Sequence, residues 1–171
     1  MSETLQAALP DQLDEQAERL MRKLCDQDLT IATAESCTGG LVAGALTEIP
    51  GSSDVFDRGF VTYSYPAKVA MLGVAQVLLT DHGAVSEQVA RAMAEGALSR
   101  SKADIALGVT GFAGPAGDDC EEGLVHMALA RRNGQVMHRV EHFGAIGRGP
   151  VRIEALRVML EMIEQAIGEM D

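Results

Sequence analysis

The chain has 171 residues, 47% hydrophobic and 23% charged, with a formal net charge of −11. That length and balance suit one folded domain with a substantial core. The acidity, an aromatic content of 4% and the lack of Trp exclude nucleic acid as the expected partner, because a phosphate backbone needs basic contacts and exposed bases need stacking surfaces.

The opening, Met1-Ser2-Glu3-Thr4, has neither the basic segment nor the apolar stretch of a secretory signal. Residues 1–10 read as a frayed, disordered tail ending at Pro10. Residues 11–26 carry Leu13, Ala17, Leu20, Met21 and Leu24 at helical spacing, which predicts an amphipathic helix. A buried strand follows at about 29–34, then a turn and a helix at about 39–48. Pro50-Gly51-Ser52-Ser53 stops that helix. Phe60-Val61-Thr62-Tyr63 is a short β-type run. Pro66 suits the first turn of a helix that continues through Lys68, Val69, Met71 and Leu72. Ser86 is a good N-cap for a helix bearing Val89, Met93, Gly96 and Ala97. Residues 104–110 read as a buried strand running into a glycine-rich turn, 111–117. Strands at 123–131 and 135–143 flank Arg132-Asn133-Gly134, a strong hairpin signal. A last helix is expected at about 150–168.

Strands alternating with helices, plus one inserted hairpin, predict a single α/β domain over residues 11–171. It should be layered α/β/α around a mixed sheet. No apolar run approaches the roughly 20 residues of a membrane span, so no membrane partner is expected. Cys25, Cys37 and Cys120 are odd in number and far apart, which reads as reduced thiols in a cytoplasmic protein. Apolar helix faces are compatible with a homodimer without demanding one.

Chemistry concentrates where strands end. Thr33-Ala34-Glu35-Ser36-Cys37-Thr38-Gly39-Gly40 packs hydroxyls, a thiol and two glycines into a strand-to-helix turn. Such a turn aims N–H groups and the positive end of a helix dipole at whatever sits above it. A serine there can be a nucleophile, and a developing oxyanion would be stabilised. Tyr63-Ser64-Tyr65-Pro66-Ala67-Lys68 sets a phenol and an amine either side of another such turn. A lysine freed of its proton can take one from serine. Thr110 and Gly111 close the buried strand. Arg148 and Arg152 lie beside the start of the last helix, where two guanidinium groups could grip a phosphate. Each piece also has a plain structural reading, as N-cap, surface lysine, turn or solvated basic segment.

Taken in order, Ala34-Glu35-Ser36-Cys37-Thr38-Gly39-Gly40, Pro50-Gly51-Ser52-Ser53, Tyr63-Ser64 with Lys68, Gly83-Ala84-Val85-Ser86-Glu87 and Thr110-Gly111-Phe112-Ala113-Gly114-Pro115 resemble the CinA C-terminal domain family, the nicotinamide-nucleotide amidohydrolase (PncC) family. The resemblance spans about residues 12–168. It implies hydrolysis of the carboxamide of nicotinamide mononucleotide to nicotinate mononucleotide and ammonia, in pyridine-nucleotide salvage, with no cofactor. By position it implies Ser36 as nucleophile and Lys68 and Tyr63 as its activating partners. Thr38, Gly39, Gly40, Thr110 and Gly111 would contact the substrate, and Arg148 and Arg152 would hold its phosphate. Three stretches depart from the family pattern. Tyr65-Pro66 replaces the usual Asn-Glu, residues 118–122 form a shorter acidic loop, and Gly147-Arg148 lacks the usual intervening Asp.

Rival readings differ in chemistry. Cys37 is intrinsically the better nucleophile, but adjacent side chains point different ways, so only one of Ser36 and Cys37 can face the site. Glu35 could be a base or could orient the turn. His138 and His142 share a strand face, yet four residues of strand separate them by roughly 13 Å, too far for one ion. No metal site is therefore expected. A nucleotide-binding module of the same fold, with hydrolysis lost or changed, is the alternative to an enzyme.

Overall fold

Strands β1 (Ile31–Glu35), β2 (Phe56–Val61), β3 (Ile105–Gly111), β4 (Leu124–Arg131) and β5 (Met137–His142) form one sheet in the computed structural model, ordered β2-β1-β3-β4-β5. The structure describes residues 9–132, 134 and 136–169. β2, β1 and β3 run parallel, and β4 and β5 continue the sheet antiparallel. The sheet is thus mixed, as expected, with the hairpin extending one edge. Helices α1 (Asp11–Asp26), α2 (Leu41–Thr47) and α6 (Arg148–Gly168) cover one face. Helices α3 (Tyr65–Leu72), α4 (Gln76–His82) and α5 (Glu87–Ser99) cover the other. Among the described residues, no helix is long and apolar enough to cross a membrane.

The central strands β1 and β3 are mostly apolar because both their faces are buried, with Thr33, Glu35 and Thr110 as buried polar exceptions. The two faces differ in side-chain size. Ile31, Ile105, Leu107, Val109, Val125, Met127 and Leu129 fill the layer under α1, α2 and α6. Ala32, Ala34 and Ala106 meet the α3–α5 layer, and Ala128 and Ala130 meet Ala90 and Ala94 of α5. Small side chains let α5 lie almost on the sheet. A Cβ on Gly108 would sit 2.5 Å from the Ala90 oxygen and 2.7 Å from the Ala94 nitrogen. Those are backbone atoms and cannot swing aside. Gly108→Val is therefore expected to destabilise the fold by about 3 kcal/mol, at the upper end of overpacking effects. A urea midpoint equal to that of the wild type would show that α5 shifts freely.

Several boundaries differ from expectation, each for a local reason. β2 starts at Phe56, four residues before the predicted run, because it is an edge strand. Asp57, Arg58 and Gly59 are exposed and break the apolar pattern. α4 was not anticipated, since Leu79 is its one buried residue. α6 begins at Arg148 rather than near Pro150. Leu9, assigned by sequence to the tail, is buried with the α1, α2 and α6 core. Residues 1–8 of that tail, and Asn133 of the hairpin signal, lie outside the described residues. The strands flanking that signal pair antiparallel from Leu124 with His142 to Leu129 with Met137.

The parallel arrangement brings the C-terminal ends of β1, β2 and β3 to one edge of the sheet. Ligands settle at that edge in open α/β sheets.

Candidate active site

A cavity of about 240 Å³ opens at that edge, lined by Ser36 and Cys37 after β1, Tyr63, Tyr65 and Lys68 after β2, and Thr110 to Ala116 after β3. Ala84, Val85 and Arg148 complete it. Lys68 enters from the first turns of α3. Ser64 caps that helix, its hydroxyl accepting the Ala67 N–H at 3.2 Å, with Pro66 in the first turn. The Lys68 side chain is 1% exposed. Its Nζ donates to Ser36 Oγ at 3.0 Å and to the Thr62 carbonyl at 2.6 Å. Among the described residues no carboxylate forms an ion pair with it. Burial consequently holds its ammonium below the ordinary lysine range, with only the nearby Cys37 sulfur acting the other way. A buried amine on a serine hydroxyl, without a counter-charge, is a ready proton acceptor.

Cys37 is held differently. Burial pushes its thiol up to about 12, and the Arg152 cation offsets this only in part. Among the described residues no hydrogen bond joins it to Lys68.

Glu35 orients the turn. Its fully buried carboxylate accepts the Thr38 hydroxyl at 2.6 Å and the N–H groups of Gly40 (3.1 Å), Val42 (3.1 Å) and Ala43 (2.8 Å). It occupies the start of α2, which the sequence had assigned to an oxyanion. Gly39 N–H bonds the Ser36 carbonyl at 3.1 Å. Gly39 and Gly40 adopt φ of +61° and +99°, a conformation that favours glycine. Thr38, Gly39 and Gly40 are not among the residues lining the cavity, and the N–H groups of Gly39 and Gly40 are taken up within the turn.

The other anticipated residues divide similarly. Thr110 and Gly111 line the cavity, and the Thr110 hydroxyl donates to the Ala84 carbonyl at 2.8 Å. Tyr63 stands at the rim, 61% exposed, and its hydroxyl accepts a long 3.4 Å bond from Arg148. No bond links Tyr63 to Ser36 or Lys68 among the described residues. Arg148 reaches over Gly114, with no ion-pair partner among the described residues. Arg152 does not reach the cavity; its Nε donates to the Cys37 carbonyl at 2.7 Å.

Sequence reasoning did not single out three contributors. The Thr62 carbonyl receives Lys68, and a main-chain acceptor carries no residue signal. Tyr65, whose hydroxyl accepts the Ala84 N–H at 3.2 Å, and Phe112 form cavity walls. His138 faces His126 rather than His142: their ring nitrogens are 3.1 Å apart and the rings stack at 5.3 Å. His142 instead meets Glu121 at 2.5 Å. Among the described residues no three His, Cys, Asp or Glu side chains converge as a metal-ligand set.

The CinA C-terminal domain pattern matches residues 13–167. A protein of Enterobacter agglomerans named nicotinamide-nucleotide amidohydrolase PncC is 48% identical over 127 residues, covering 73% of this chain and 77% of that one. A CinA-like protein of Akkermansia muciniphila is 55% identical over 114 residues, covering 66% of this chain but 28% of the relative. The chain thus spans under a third of the length of such longer relatives. The crystal structure of competence/damage inducible protein CihA from Agrobacterium tumefaciens superposes with a TM-score of 0.89 at 50% identity, covering 98% of this chain and 99% of that one.

Proposed function

The chain belongs to the CinA C-terminal domain family, and from that premise we propose that it is a serine amidohydrolase acting on the carboxamide of nicotinamide mononucleotide. The observation that carries the reading is the 3.0 Å contact between Lys68 Nζ and Ser36 Oγ at the wall of a cavity. Neutral Lys68 takes the proton of Ser36 as Oγ bonds to the carboxamide carbon, and the carbonyl π pair moves onto oxygen. The tetrahedral adduct collapses, and Lys68 returns the proton to the departing nitrogen, which leaves as ammonia. Water then attacks the acyl-Ser36 ester and gives one proton to Lys68, which passes it to Ser36 Oγ as the carboxylic acid departs and ionises. Thr110 and Gly111 flank the bound substrate, and Tyr63 acts at the rim. The cellular role that follows is pyridine-nucleotide salvage.

Ammonia release from nicotinamide mononucleotide by the purified protein tests the reading. Tight binding of the nucleotide without ammonia would leave a binding module. In this reading Arg148 holds the 5′-phosphate, since it is the guanidinium at the cavity. Charge-assisted arginine–phosphate bonds outweigh the acidic net charge locally. Arg148→Ala should cost about 2 kcal/mol, roughly thirty-fold in kcat/KM, on the mononucleotide. The same variant should leave the slower riboside reaction nearly unchanged. Equal losses on both substrates would assign Arg148 a structural role.

A further inference from the structure

We propose that Arg152 is a positioning residue for catalysis: through the Cys37 carbonyl it holds the Thr38 N–H as an oxyanion donor. The inference rests on the serine-amidase reading above and deepens it.

The argument begins with where the N–H groups of the turn go. Ser36 N–H bonds the Val109 carbonyl at 3.0 Å, Gly39 bonds Ser36, and Leu41 bonds Thr38 at 3.1 Å. Gly40, Val42 and Ala43 bond Glu35. The Cys37 N–H is turned to its own sulfur, so among the described residues the Thr38 N–H is the one in residues 36–43 left without an acceptor. Thr38 is buried, at 2% exposure. Interior N–H groups are almost always paired, so an unpaired one beside a nucleophile marks a place where a ligand oxygen is received.

Arg152 bears on that N–H directly. The Cys37 carbonyl and the Thr38 N–H are two ends of one peptide group, and the chain has no cis peptide bonds among the described residues. A planar trans peptide points its C=O and N–H in opposite directions. Anchoring the carbonyl on Arg152 Nε at 2.7 Å therefore aims the N–H away from Arg152. The guanidinium lies outside the cavity, in a separate depression with Leu41, Ile146, Pro150 and Ile153, whereas Cys37 lines the cavity itself. A cation on the carbonyl also polarises the peptide and strengthens its N–H as a donor. No carboxylate pairs with Arg152 among the described residues, so its charge remains available for this.

The test measures Arg152→Ala, Arg152→Gln and Arg152→Lys on two substrates: nicotinamide mononucleotide, and p-nitrophenyl acetate, which has neither phosphate nor pyridine. Loss of an oxyanion donor lowers kcat by about 10²–10³. A donor left in place but unanchored should lower it by about thirty-fold in Arg152→Ala, on both substrates, with KM within threefold. Arg152→Lys should regain part of the loss, and Arg152→Gln, which keeps a donor without charge, should fall between. If Arg152→Ala fails to fold, the Gln and Lys variants carry the comparison. An unchanged kcat, or a loss confined to KM for the mononucleotide, overturns the proposal and returns Arg152 to the phosphate. So does a wild type without Ser36-dependent ester cleavage. A wild type that cleaves the ester through Ser36 but releases no ammonia, with the ester reaction falling in Arg152→Ala, overturns the substrate reading alone.

Discussion

Ser36→Ala is expected to lose ammonia release by three orders of magnitude or more, while Cys37→Ala keeps most of it. Each tenfold is about 1.4 kcal/mol of barrier, and removing a nucleophile forfeits the covalent route altogether. The discrimination between two adjacent side chains comes from their surroundings. Ser36 Oγ is within 3.0 Å of a buried amine. The Cys37 thiol is pushed up to about 12 by burial, so the reactive thiolate is scarce near neutrality. Cys37→Ala should cost activity less than tenfold. It should also lower stability by about 1 kcal/mol, through the lost packing of a small buried side chain. Active Ser36→Ala beside dead Cys37→Ala would reverse the assignment.

Lys68→Met should reduce kcat by about 10²–10⁴-fold, the range for removal of a general base, without weakening the fold at neutral pH. The amine it removes is buried on two neutral acceptors, and a thioether of similar length needs no proton and no counter-charge. The pH dependence has a definite sign. Burial lowers the folded-state pKa of Lys68 below its unfolded value of 10.5, so the unfolded chain binds the extra proton between the two values. Wild-type stability therefore rises with pH through the folded pKa up to 10.5. Lys68→Met lacks this contribution, so the stability gap between variant and wild type should be largest near neutrality and narrow as the solution becomes alkaline. Activity of the wild type should rise along the same limb, as neutral Lys68 accumulates, with its midpoint below 10.5. Urea titrations of both proteins at neutral and alkaline pH, with a pH–rate profile, check both statements. Near-normal turnover in folded Lys68→Met would remove the lysine from the mechanism.

The residue order alone determined the α/β class and the family. Periodicity carries the helices with a buried face, such as α1 with Leu13, Ala17, Leu20, Met21 and Leu24. Strands buried on both faces, β1 and β3, announce themselves as apolar runs. Edges do not: β2 carries Asp57 and Arg58, which at the exposed edge pair with each other and with the main chain of Arg100 and Lys102, and α4 buries too little to show a pattern. At the site, residue types were legible because hydroxyls, glycines and a lysine crowd the ends of predicted strands. Their partners were not. Only the tertiary structure sets Lys68 on Ser36 across 32 residues of chain, commits Glu35 to the start of α2, and parts Arg148, which lines the cavity, from Arg152, which bonds the Cys37 carbonyl. Sequence patterns record which face of an element is buried, a property averaged over several residues. A hydrogen bond is made between two particular atoms, and here one of them was often a carbonyl or N–H that every residue possesses.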